Sequence, residues 1–64
     1  MIHQDYKYVI STIDSEGATI YHTNSGFSFY KYDAKNYKSI GEVKAAIRML
    51  KRHYPKNYFV YERR

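Results

Sequence analysis

Lys44, Arg48, Lys51 and Arg52 recur at the spacing that lines four cations along one side of a helix. Advancing about 100° per residue from Val43, they fall near about 100°, 140°, 80° and 180°. Val43, Ala46, Ile47, Leu50 and Tyr54 gather within about 60° either side of the opposite pole, the pattern of a helix that buries one stripe and exposes the other. No Asp or Glu stands four residues before or after Lys44, Arg48 or Arg52. Exposed helix faces ordinarily interleave both signs and gain about 0.2–0.5 kcal/mol per pair, whereas Lys44 with Arg48, and Arg48 with Arg52, repel by similar amounts. Charge kept in spite of that repulsion fits an anionic ligand, and nucleic-acid phosphate is an anion that such rows contact without reading sequence. Lys56, Arg63 and Arg64 would extend the patch.

A second pattern interleaves tyrosine with lysine. Lys7 lies between Tyr6 and Tyr8, Lys31 between Tyr30 and Tyr32, Lys35, Tyr37 and Lys38 follow, and Lys56 precedes Tyr58 by two. Rings beside cations can stack bases while ammonium groups track phosphates. A strand with one buried and one wet face produces the same alternation. The candidate stacking or partner-binding residues are Tyr30, Tyr32 and Tyr58, with Met49, which at about 240° lies off the apolar stripe and suits an adaptable contact surface.

Other chemistries find little support. His3, His22 and His53 share no metal-ligand spacing, and there is no cysteine, so neither a zinc site, a disulfide nor a thiol nucleophile is expected. Gly17, Gly26 and Gly41 are isolated, so no phosphate-cradling loop is written in the chain. A chain of 64 residues also leaves little room for a concave pocket of about 300–1,000 Å³. The expectation is a protein that is not an enzyme and needs no cofactor.

The elements that must position these groups are legible from periodicity and turn residues. Residues 6–13, 18–23 and 27–33 read as strands, separated by turns at Asp14-Ser15-Glu16-Gly17 and Asn24-Ser25-Gly26. The last of these strands would set Phe27 and Phe29 on one face and Tyr30 and Tyr32 on the other. One short helix cannot cover both faces, so some tyrosines should be exposed. Residues 34–38 read as a connector. Ser39 and Glu42 fit a capping box, with the Ser39 hydroxyl taking the Glu42 N–H and the Glu42 carboxylate returning to the Ser39 N–H. Pro55 ends the helix, and residues 57–62 form a last strand, with Phe59 and Tyr61 on one face and Tyr58 and Val60 on the other. Arg63 and Arg64 would be a mobile charged end. The order β-β-β-α-β predicts a single small α+β domain over residues 1–64: an antiparallel β-sheet with one helix packed across it. The pattern does not say which edge of the meander takes the last strand.

The strands followed by Tyr37-Lys38-Ser39-Ile40-Gly41-Glu42-Val43-Lys44-Ala45-Ala46 resemble the integrase arm-binding domains. That resemblance implies a three-stranded sheet laid in the DNA major groove and braced by a C-terminal helix. The chain departs from the pattern in two ways: its strands carry Lys7 and Lys31 but no arginine, and a fourth strand follows the helix.

Nine Tyr and three Phe supply the apolar mass for so short a chain. Charge is uneven. Residues 1–32 hold two lysines against three acids, net −1, and residues 33–64 hold nine cations against three acids, net +6. Such polarity steers acidic partners. No apolar run approaches the roughly 20 residues of a membrane span, and the start lacks a secretory pattern, so the cytoplasm is expected. Two functions compete: a basic nucleic-acid-binding protein gripping phosphates, or a protein-interaction module, a compact regulator or inhibitor of the kind mobile elements encode, docking on an acidic host or replication protein. Self-association through a sheet edge is compatible with both.

Overall fold

A computed structural model describes residues 8–64, and the amino-terminal part of the expected first strand, with Tyr6 and Lys7, lies outside them. The elements are β1 (Tyr8–Ile13), β2 (Thr19–Thr23), β3 (Gly26–Ser28), a single 3-10 turn (Lys31–Asp33), α1 (Ile40–His53) and β4 (Val60–Arg63). All strand pairs are antiparallel, in the order β3-β2-β1-β4, so the last strand joins the edge formed by β1. The expected α+β architecture is present, with α1 packed on one face of the sheet.

Register explains which side chains meet the helix. Ile10 lies opposite Tyr61, Thr12 opposite Ile20, and His22 opposite Phe27. Ile10, Tyr37, Val43, Leu50 and Phe59 form the buried cluster, with Tyr8, Phe27, Ala46 and Ile47 packed on it. The neighbours of Ile10 in β1 point the other way. Thus Val9 with Glu62, Ser11 with Tyr21 and Val60, and Ile13 with Thr19 lie on the far face. Phe59 in the core and Tyr58 and Val60 away from it follow the expected alternation.

The third strand is shorter than expected. It ends at Ser28, whose hydroxyl donates to Asp33 Oδ2 (2.8 Å) and accepts the Tyr30 N–H (3.1 Å). Those bonds favour a tight turn over continued ladder pairing, as short polar side chains do. Tyr30 and Tyr32 therefore do not alternate on a strand; their rings stack on each other, 5.2 Å apart and 18° from parallel. The connector is also more ordered than a linker: Tyr8 and Tyr37 exchange both backbone hydrogen bonds (2.8 and 2.9 Å), which brings the Tyr37 ring into the core.

The segment around the 3-10 turn is tied to the far-face side chains of β4, while the Lys35 N–H bonds to the His22 carbonyl of β2 (2.9 Å). Lys31 Nζ is 2.9 Å from Glu62 Oε2. The guanidinium of Arg64 donates to the carbonyls of Lys31 (3.2 Å), Tyr32 (3.0 Å) and Ala34 (3.5 Å) and to Asn36 Oδ1 (3.2 Å). The expected mobile end is thus a clasp, with Arg63 paired opposite Tyr8 in β4. Val9 is buried outside the helix-side cluster.

Two local devices start the hairpin and the helix. Asp14 Oδ1 accepts from the N–H groups of Glu16 and Ala18 (2.9 Å each), and Gly17 supplies the positive φ of +87° that closes the turn. Ser39 Oγ accepts the Glu42 N–H (3.2 Å), as expected, but Glu42 Oε1 reaches the N–H of Lys38 (3.0 Å), one residue before the expected donor. Ser39→Ala should cost about 0.5–2 kcal/mol, read as a lower midpoint in thermal or urea denaturation.

Candidate functional site

Helix α1 has 14 residues and carries Lys44, Arg48, Lys51 and Arg52 exposed, on the side away from buried Val43 and Leu50. The only acid on the helix, Glu42, is turned to the cap. Among the described residues the one salt bridge is Lys31 with Glu62, so none of the four helix cations is neutralised by a carboxylate there. Lys51 and Arg52 fall in the last turn, where the helix dipole favours positive charge. Lys44 and Arg48 have no such compensation.

The surface continues past the helix. Tyr54 N–H bonds to the Leu50 carbonyl (2.8 Å) and Asn57 N–H to the Tyr54 carbonyl (3.0 Å), so Pro55 and Lys56 form the turn between helix and last strand. Lys51 Nζ donates to the Asn57 carbonyl (3.2 Å), which brings the helix row beside Lys56. Arg63 and Arg64 are not part of this row: Arg64 is committed to the clasp, and Arg63 has its own partners. Tyr30 and Tyr32 belong to the clasped far-side segment. Met49, exposed, borders a second depression rather than the cationic row.

The chain was expected to leave little room for a concave pocket, and the concave surfaces it has are two open depressions. On the far face, bordered by the clasp residue Glu62, a groove of about 730 Å³ is lined by Ser11, Ile13, Tyr21, Tyr58 and Val60, together with Lys56 and Asn57. Between α1 and the sheet lies a depression of about 440 Å³ bordered by His22, Lys35, Tyr37, Met49 and His53. Neither was legible in the sequence, because each is framed by residues from elements distant in the chain. Among the described residues no three His, Asp or Glu side chains converge as a metal site.

His22 and Tyr37 are the groups in that depression whose ionisation the fold perturbs. Burial, and then the positive charge of Lys35, hold the pKa of His22 below the ordinary 6.5. Burial, and then the carboxylate of Glu42, raise the Tyr37 phenol. Both shifts favour a neutral pair in which Tyr37 O–H can donate to His22 Nδ1, 3.1 Å away. No described helix is long and apolar enough to cross a membrane. Comparison with protein-family models, curated proteins and solved structures finds no match to this chain.

A pH dependence follows from His22. Because folding lowers its pKa, the unfolded chain binds the proton more readily, and the stability tied to the neutral imidazole is complete above 6.5. It is lost as pH falls from there toward the folded value. The urea midpoint should fall between about pH 7 and pH 5, and His22→Gln should flatten that dependence.

Proposed function

We propose that this protein binds nucleic acid through the phosphate backbone, with Lys44, Arg48, Lys51 and Arg52 as the principal contacts and Lys56 extending them. The observation that carries the proposal is the isolation of that row: four exposed cations on one helix side, uncompensated by any described carboxylate. Phosphates would relieve the mutual repulsion and release counterions, so affinity would be tolerant of sequence and steeply dependent on salt. Side chains from one rigid helix hold their relative positions without prior ordering, which lowers the entropy cost of binding.

One observation favours a second reading, a module that docks on an acidic protein. Phe29 (64% exposed) adjoins the stacked Tyr30 and Tyr32 (71% exposed), an aromatic patch unconnected to the helix row. Exposed, preordered rings of this kind serve as interface anchors, while cations elsewhere would steer association.

A salt titration of binding to labelled oligonucleotides separates the two. On the nucleic-acid reading, Arg48→Ala weakens binding and flattens the log–log salt slope by about 1; an unchanged slope overturns the assignment. Tyr30→Ala should leave oligonucleotide affinity intact. If it instead abolishes capture of an acidic protein partner that binds the wild type, the docking reading gains.

A further inference from the structure

Of the tyrosine–lysine pairs in the described residues, one keeps both members uncommitted. Lys31 is paired with Glu62, and Tyr30 and Tyr32 each spend one ring face on the other. Lys35 sits 5.3 Å from the centre of the buried Tyr37 ring. Tyr58, by contrast, is 78% exposed, and it lines the far-face groove together with Lys56. The backbone beneath that ring is held: Thr12 Oγ1 donates to the Tyr58 carbonyl (2.8 Å), and Asn57 Nδ2 donates to Thr12 Oγ1 (3.3 Å). A free ring on a fixed backbone is a preorganised stacking platform.

The groove's chemistry separates charge from apolar surface. Ile13, Tyr21 and Val60 line it with Ser11, and Lys56 adds the positive charge. Lys51, from the helix row, lies within hydrogen-bond distance of Asn57, which also lines the groove. Two carboxylates border it. Glu62 is neutralised by Lys31, and Asp14 holds two backbone N–H groups through Oδ1. Such a border disfavours phosphate inside the groove but accepts hydrogen bonds from the exocyclic amine of a base.

We infer that the far-face groove receives an unstacked base of a single-stranded nucleic acid, stacked on Tyr58, while the adjoining phosphates run past Lys56 and Lys51 onto the helix row. This rests on the phosphate-binding reading above and adds strand type to it: a duplex, whose bases are already stacked and paired, has no base to place there. DNA and RNA single strands share the required chemistry.

The test measures anisotropy of labelled single-stranded DNA, single-stranded RNA and duplex DNA, each of about 12 nucleotides or base pairs, with wild type, Tyr58→Ala, Tyr58→Phe, Ile13→Glu and Arg48→Ala. Tyr58→Ala should weaken single-strand binding roughly 5- to 100-fold and leave duplex binding unchanged, and Tyr58→Phe should retain wild-type affinity. Ile13→Glu, an exposed position where added charge closes the groove, should reproduce the Tyr58→Ala loss. Whichever of the DNA and RNA arms loses affinity identifies the strand accepted. If Tyr58→Ala leaves both arms and the duplex unchanged, or lowers all equally, the groove inference fails while the Arg48→Ala effect still upholds phosphate binding. If no oligonucleotide binds wild type at low salt, both readings fall.

Discussion

Strand β1 is buried on both faces, and the rest of the molecule answers to that constraint. Val9 and Ile10 are adjacent, point to opposite sides of the sheet, and both have 0% exposure. A sheet strand in so small a domain commonly shows one face to water. Here two covers are needed. Helix α1 supplies one, seating Val43 and Leu50 on Ile10 with Phe59 and Tyr37. On the other side, the segment around the 3-10 turn is tied to the last strand by Lys31 on Glu62 and by the four hydrogen bonds of Arg64. The central place of β1, between β2 and β4, is the topological form of the same demand.

The two covers differ in kind. The helix side is apolar and aromatic, with Phe27 and Phe59 edge-on to Tyr54 at 5.4 and 6.4 Å. The far side relies on polar bonds around one guanidinium, suited to donating to several carbonyls at once. The Lys31–Glu62 pair is half-exposed, so its direct contribution is small and its role is to fix position. Past Glu62, the far face stays open at Ile13 and Val60, where the groove lies.

The helix face tells a complementary story. Its core stripe fixes its rotation, and that rotation sends the cations outward as a block. With Glu42 held at the cap, no acid on the helix relieves them. A small domain has modest stability to set against such repulsion, which is the physical ground for reading the row as a contact surface.

The helix was legible in its Ser39 cap, its 3.6-residue stripe and its stop at Pro55, all of them local, while the return bond of Glu42 falls on Lys38 rather than Ser39. So were the first two strands and their turn, encoded by alternation and by the Asp14–Gly17 chemistry. The third strand is shorter than its alternation suggests, because alternation in Phe27–Asp33 is equally compatible with a turn, and only the Ser28–Asp33 bond, closed in space, settles which forms. Tyr37, Arg64 and the groove were illegible for a related reason. Their partners lie in distant segments, 28 to 33 residues away for Arg64. Periodicity along the chain specifies which side of an element is apolar and which is charged. Which elements become neighbours, which edge β4 takes, and which charges meet a partner depend on long-range packing around β1, where burial is decided by the whole chain at once.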